Sequence, residues 1–298
     1  MEPTNETNLP ALQADPFAMQ QKRYVPPSPG EVITSLRTNN TYTIGSQIGE
    51  GNFGIVYGCT DIWGNELAVK VLKPRGLPYE KIKSDAENEF IKLLNLRHPN
   101  ITYIYDAFEF RDTFYIITER CFGPVSELFS IKGFNGELWL KPIARCLLQG
   151  LHYLHINNVA HQDIHLGNVF TAIVKDEMPS DAQAIQFRLA DLGVSKLFHE
   201  VDAQNTRAAW MLPPEVLRPD EFGPLDYRID LYHAGLLLLQ IALSKQIEFT
   251  EEQVLSGYPR ELAESLPAPF NFALGKALRR HVPFRTSSAL ELWRDLQE

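Results

Sequence analysis

The sequence predicts an α+β chain in which strands come first and helices follow. Between Tyr42 and Thr118 the residues are β-branched and apolar, punctuated by glycine, whereas beyond Pro124 apolar residues recur at helical spacing. The texture breaks at Glu119-Arg120-Cys121-Phe122-Gly123-Pro124, a natural boundary between two lobes. The expected organisation is a disordered Pro-rich tail over residues 1–40, a β-rich N-lobe over 41–121 and a helical C-lobe over 122–298. With 298 residues the chain is long enough to bury a sizeable core.

The tail carries Pro3, Pro10, Pro16, Pro26, Pro27 and Pro29 among Asn, Gln, Thr and Ser, with no apolar period and no hydrophobic signal region. It reads as a disordered segment or an arm for a partner; Pro26-Pro27-Ser28-Pro29 fits either a polyproline ligand or a plain linker. Ile48 to Tyr57 reads as strand, glycine-rich turn, strand. Gly49, Gly51 and Gly54 let a backbone approach an anion, although hairpins also use glycine for positive φ alone. The next strand, Glu66 to Leu72, sets Lys70 among Val and Leu, where its charge needs a phosphate or carboxylate unless it lies at the surface. Ser84 to Leu96 has Phe90, Leu93, Leu94 and Leu96 on a helical period, and either Glu87 or Glu89 can face Lys70. Pro99 ends that helix, and strands are expected at Ile101 to Phe108 and Phe114 to Thr118.

Helical patterns at Val125 to Phe129 and Leu138 to Asn157 lead into His161-Gln162-Asp163-Ile164-His165-Leu166-Gly167-Asn168, with Val169 and Phe170 strand-like beyond it. A carboxylate and an amide five residues apart suit phosphoryl transfer, Asp163 orienting an acceptor hydroxyl and Asn168 holding a metal. The same residues also fit a polar turn that caps a helix. Thr171 to Gln186 reads as a polar hairpin, and the strand Ile185 to Ala190 delivers Asp191-Leu192-Gly193, where Asp191 is either a second metal ligand or a helix N-cap. Residues 194–212 form a long exposed loop. Pro213-Pro214-Glu215 starts a helix, Asp230 opens an apolar helix over Leu231 to Leu243, and Thr250-Glu251-Glu252-Gln253 has capping-box spacing. Helices around Phe272 to Arg280 and Ser288 to Leu296 finish the lobe.

Composition narrows the partners. A formal charge of −9 argues against nucleic acid or an anionic membrane surface as the main partner. Cys59, Cys121 and Cys146 lack metal-ligand spacing and read as reduced thiols, consistent with a cytoplasmic location. The longest apolar run, Ala234 to Leu243, is too short to cross a bilayer, so no membrane span is expected.

Taken in this order, these residues resemble the protein kinase superfamily from residue 41 to the C-terminus. The resemblance implies a bilobal protein-kinase-like fold and transfer of phosphate from ATP, with Mg²⁺, to Ser/Thr hydroxyls of a protein substrate. It implies that Gly49, Gly51 and Gly54 form a loop over ATP, with Ile48, Glu50, Asn52, Phe53, Val56 and Ala68 also at the nucleotide. Lys70 resembles the lysine on the phosphates, and counting back from Arg97-His98-Pro99-Asn100 favours Glu89 as its partner. Asp163 resembles the catalytic base, Asn168 and Asp191 the Mg²⁺ ligands, Thr118 the gatekeeper before the hinge Glu119 to Cys121, and Glu215 an acid paired with Arg285.

Four positions depart from the family pattern. Leu192 replaces a Phe and keeps an apolar side chain; Gln162 replaces an Arg and removes a cation near the long loop. His165 stands where Ser/Thr kinases place a lysine, and Ala208 where they place a threonine, unless a slip of two restores Thr206. The last two also fit the small-molecule (aminoglycoside- or choline-type) phosphotransferases, and a catalytically weak scaffold is the third reading. Pro213-Pro214-Glu215, Asp230 and Arg285 favour the protein kinases.

Overall fold

Leu67, Val69 and Val71 alternate with Ala68 and Lys70, so strand β4 (Glu66–Leu72) turns an apolar row to one face and a mixed row to the other. In the computed structural model, which describes residues 25–51, 54–73, 83–84, 96–175, 183–192, 196–201 and 212–298, this strand lies inside a six-stranded sheet. Its other members are β1 (Val32–Thr34), β2 (Thr41–Glu50), β3 (Gly54–Asp61), β5 (Ile104–Phe110) and β6 (Thr113–Glu119), in the order β1-β2-β3-β4-β6-β5 with every pairing antiparallel. The apolar row of β4 joins Tyr57, Tyr115 and Ile117 in one core cluster. Each fully buried aliphatic side chain there contributes about 1.5–3 kcal/mol.

The sheet starts earlier than the sequence suggests. Within the stretch expected to be a tail, β1 pairs with β2 and buries Ile33, while residues 1–24 lie outside the described residues. A distant carboxylate explains the gain in order: the buried Asp106 of β5 accepts hydrogen bonds from Arg37 Nη2 (2.6 Å), Thr38 Oγ1 (2.6 Å) and Tyr42 OH (3.1 Å). Three donors satisfy a charge that would otherwise be costly to bury. The expected strand at Ile101 is also corrected. Ile101 makes an isolated bridge to Leu189, Thr102 N–H donates to Leu189 O at 2.9 Å, and β5 begins only at Ile104. By its contacts the chain divides into two units, Ile104–Glu119 falling in the first with the rest of this sheet, and Arg120–Glu298 in the second, which also takes Tyr103 and the residues just before it.

In the second unit a short strand β7 (Gly123–Pro124) and a 3₁₀ turn over Val125–Ser130 precede helix α1 (Gly136–Ile156), which Asn135 caps by accepting the Glu137 N–H at 3.0 Å. Then come β8 (Val159–Ala160), the hairpin of β9 (Val169–Lys175) and β10 (Gln183–Leu189), and β11 (Lys196–Leu197), paired with β8. The expected loop over 194–212 is therefore partly structured, with β11 followed by a 3₁₀ turn over Phe198–Glu200; residues 202–211 are outside the described set. Helices α2 (Pro214–Leu217), α3 (Pro219–Phe222), α4 (Ile229–Ala242), α5 (Glu251–Ser256), α6 (Tyr258–Glu264), α7 (Phe270–Ala277) and α8 (Ala289–Asp295) complete the unit. Every residue of α4 from Ile229 to Ile241 is buried, as its mostly apolar sequence favours, with Asp230, His233 and Gln240 the polar residues among them. The α1 start meets the α4 end through Gly136: its N–H donates to Ser244 Oγ at 2.8 Å, and a Cβ there would overlap Ile241 O. Thr250 forms the expected capping box with Gln253.

Glu215 and Arg285 pair as the resemblance implies. Arg285 Nη1 and Nη2 donate to the two Glu215 oxygens at 2.6 and 2.8 Å, Nε donates to Arg279 O at 3.1 Å, and both residues are almost wholly buried. Arg285→Ala strands a buried carboxylate, so it should lower the stability of this unit by about 3–5 kcal/mol, read as a urea midpoint shift. Lysine at this position keeps the charge without the bidentate fork and should recover only part of that loss.

Candidate active site

The loop at 161–168 is built on the end of α1 and on β8. His161 and Gln162 are fully buried, and Gln162 adopts φ +65°. The backbone turns there because Asp230, in the first turn of α4, reaches across: Oδ2 accepts the His161 N–H at 2.8 Å and Oδ1 accepts the Gln162 N–H at 2.7 Å. His155 Nε2 lies 2.9 Å from the same Oδ2. Burial alone would raise the Asp230 pKa, yet His155, His161 and the Gln162 N–H hold it below the ordinary aspartate value. Asp230 thus lies in the first turn of its helix, as its sequence position suggested, but its side chain caps a loop 68 residues earlier.

The His161 ring then ties two loops together. Nε2 lies 3.1 Å from the Ala190 carbonyl, so that nitrogen carries the proton, and Nδ1 accepts the Asp163 N–H at 3.2 Å. Burial pushes the His161 pKa down, keeping the ring in this neutral form. On the far side of the loop Asn168 Nδ2 donates to Asp163 O at 2.8 Å and to Asp163 Oδ2 at 3.0 Å, and Asn168 O accepts the Ala190 N–H at 2.8 Å. Asp163 and Asn168 are therefore in direct contact, and the Asn168 backbone is tied to Ala190, the residue before Asp191 in the chain. Burial alone would raise the Asp163 pKa, but His165, His161 and Asn168 hold it below the usual value, leaving the carboxylate ionised at neutral pH. The reading of this loop as a helix cap does not hold: its side chains bond to one another and to the loop at 190.

With Nδ2 turned to Asp163, Asn168 presents Oδ1 on the opposite side of its amide, and Asp191 stands at φ +56°, outside any helix N-cap geometry. An amide oxygen and a carboxylate are hard donors of the kind Mg²⁺ takes, and Mg²⁺ commonly completes its shell with water and substrate phosphates. The donor set fits that ion. Among the described residues no three His, Cys, Asp or Glu side chains gather as a denser metal cluster.

In the first unit the sheet register does the positioning. Val56 lies opposite Lys70, Gly58 opposite Ala68, Ala68 opposite Thr118 and Lys70 opposite Ile116, so Val56, Ala68, Lys70 and Thr118 share the face turned away from the Leu67–Val69–Val71 core row. Glu119 lies opposite Leu67, and Cys121, half-buried, falls in the second unit. Gly49 pairs with Val56, Glu50 pairs with Ile55 and forms an ion pair with Lys73, and Ile48 is exposed. None of Gly49, Gly51 and Gly54 has positive φ, which removes the hairpin explanation for them. Gly54 has a packing reason, because a Cβ would stand 2.5 Å from Val71 O; Gly51 has nothing within 4 Å. Asn52, Phe53, Glu87, Glu89, Gly193, Ser195, Thr206 and Ala208 lie outside the described residues.

The sequence reading missed the part Asp230 plays. The available signal was a lone carboxylate opening an otherwise apolar helix, since a buried charge requires partners. No helix among the described residues is long and apolar enough to cross a membrane. No disulfide joins Cys59, Cys121 and Cys146, of which Cys59 is buried.

The family model for the protein kinase domain matches residues 42–279. The chain is 32% identical over 202 residues to serine/threonine-protein kinase TAO3 of Xenopus laevis, a match covering 67% of this chain and 21% of that protein. It is 29% identical over 201 residues to serine/threonine-protein kinase TAO2 of Xenopus laevis, covering 67% of this chain and 18% of the relative. For TAO2 of Homo sapiens the identity is 27% over 201 residues, with 67% and 15% covered. The matched region spans about a fifth or less of the length of these curated relatives.

Proposed function

Because this chain belongs to the protein kinase family, we propose that it transfers the γ-phosphoryl group of ATP to Ser or Thr hydroxyls of proteins, with Mg²⁺ held by Asn168 and Asp191. The observation that carries this reading is the Asp163–Asn168 contact. Asn168 and His165 both approach Asp163 Oδ2, which leaves Oδ1 to orient the acceptor hydroxyl and take its proton. His161 fixes the Asp163 backbone, and Asp230 fixes His161 and Gln162, so the carboxylate is positioned before an acceptor arrives. Bound Mg²⁺ would neutralise charge on the phosphates. In the first unit, the face shared by Val56, Ala68, Lys70 and Thr118 suits a nucleotide, with the Lys70 ammonium for its phosphates and Glu89 as the partner of that lysine. Ile48, Glu50, Asn52, Phe53 and Glu119 complete the proposed contacts of that unit, and Gly49 and Gly51 leave backbone open to an anion.

The relatives named above are all serine/threonine-protein kinases, which supports a protein acceptor over a small molecule. The test is incubation with γ-labelled ATP and Mg²⁺, in one arm with a protein mixture and in another with hydroxylated small molecules. Label on Ser and Thr that disappears with EDTA is the expected result. Label on small molecules with none on protein overturns the assignment.

Control of the long loop follows from Gln162. It is uncharged and fully buried, and neither its Nε2 nor its Oε1 has a partner among the described residues, so this position offers no cation to a phosphate on Ser195 or Thr206. Packing holds the described start of the loop instead: Phe198 N–H donates to Asn158 O at 2.9 Å, and the Phe198 ring stacks on Tyr227 with centroids 4.5 Å apart. Activity should be independent of loop phosphorylation. Phosphatase treatment and the Ser195→Ala/Thr206→Ala double variant should each leave the initial rate unchanged; a loss of about a hundredfold, roughly 2.7 kcal/mol in the barrier, would show a phosphate switch.

A further inference from the structure

His165 sits beside the carboxylate that the proposed function uses, in a seat formed by the loop itself. Its Nδ1 accepts the Gly167 N–H at 3.0 Å, so the proton of the neutral ring lies on Nε2. That nitrogen is 3.7 Å from Asp163 Oδ2. The ring can hold this pose only because residue 167 lacks a side chain: a Cβ there would stand 2.7 Å from His165 Cε1 and 2.9 Å from Nδ1. The backbone is pinned as well, since His165 O accepts the Asn168 N–H at 3.0 Å. A ring gripped at one nitrogen and aimed with the other is a directed donor.

We propose that His165 is a positioning residue for Asp163: with Gly167 N–H holding its Nδ1, its Nε2–H restrains Asp163 Oδ2 and keeps Oδ1 turned to the acceptor hydroxyl. Asn168 Nδ2 alone leaves the carboxylate free to rock about one hydrogen bond; two donors on the same oxygen limit that rotation. The 3.7 Å separation closes with a small rotation of either side chain, as catalytic hydrogen bonds commonly tighten when the acceptor binds. The inference rests on the phosphotransferase reading, and its test separates the two.

Steady-state kcat and KM for ATP are measured for His165→Leu, His165→Gln, Gly167→Ala and the Gly167→Ala/His165→Leu double variant, with nucleotide-dependent thermal shifts to confirm folding and binding. His165→Leu should lower kcat about 10- to 100-fold, the scale of a misplaced catalytic group. KM for ATP should stay within about twofold, because the lost restraint acts on the acceptor side. His165→Gln keeps a neutral N–H donor and should recover most of the loss. Gly167→Ala expels the ring and should match His165→Leu, while the double variant should be no worse than either, since both remove one interaction. Additive losses, a glutamine variant as poor as leucine, or an unaffected His165→Leu each overturn the proposal while leaving an active wild type to support the function. A wild type that transfers no phosphate overturns both. Should His165→Leu prove unstable, the glutamine and Gly167→Ala variants decide the matter by the same comparison.

Discussion

Asp230→Ala should cost the protein both its catalytic rate and a large part of its stability. The carboxylate is fully buried and accepts from the His161 N–H, the Gln162 N–H and His155, so its removal strands three donors away from water. Each stranded donor costs about 1–3 kcal/mol, reduced where the loop relaxes, so a net loss of about 3–5 kcal/mol is expected. Relaxation is itself damaging, because the same two amides set the turn that carries Asp163. A displacement of about 1 Å there is enough for a hundredfold loss in kcat. Asp230→Asn is the more discriminating variant. The two amides address different oxygens, Oδ2 and Oδ1, and an asparagine supplies only one oxygen, so one amide must face an NH₂ group.

The pH dependence has a definite sign. Because the folded pKa of Asp230 is depressed, its contribution is fully present above the unfolded aspartate value of about 3.9 and is lost as the pH falls below that value. The stability gap between wild type and Asp230→Asn should thus be constant from neutral pH down to about pH 4 and narrow below it. Urea unfolding at a series of pH values measures it. A gap that widens on acidification, or an Asp230→Ala variant with unchanged midpoint and rate, contradicts the role given to this carboxylate.

How much of this was legible in the sequence depends on the range of the interaction. Local patterns carried well: the alternation around Lys70 placed β4, the Thr250-Glu251-Glu252-Gln253 spacing placed a capping box, and the eight residues from His161 to Asn168 marked the loop in which Asp163 meets Asn168. The resemblance also supplied one long-range pair, Glu215 with Arg285. Contacts that join distant segments without a local period stayed hidden. Asp106 orders residues 35–42 from about seventy positions away, which is why the sheet begins at β1 rather than after residue 40. Ile101 follows Leu189 rather than its own neighbours in β5, although its apolar character looks the same in either place. Gln162 reads as a lost cation in the sequence, and only the structure shows it fully buried with its amide turned into a left-handed backbone. His165 reads as a missing lysine, while its seat over Gly167 is visible only once the ring has a position.

The most direct test of the account is the rate of Asp163→Asn. Asparagine has the shape of aspartate and keeps an oxygen for Asn168 Nδ2, so the loop should hold its fold and the thermal midpoint should move little. What it loses is the carboxylate proposed to take the acceptor proton. With γ-labelled ATP, Mg²⁺ and a protein acceptor, transfer should fall by about 10²–10⁴-fold, while the thermal shift on adding nucleotide persists. An Asp163→Asn protein that labels its acceptor at the wild-type rate would contradict the placement of phosphoryl transfer at this loop.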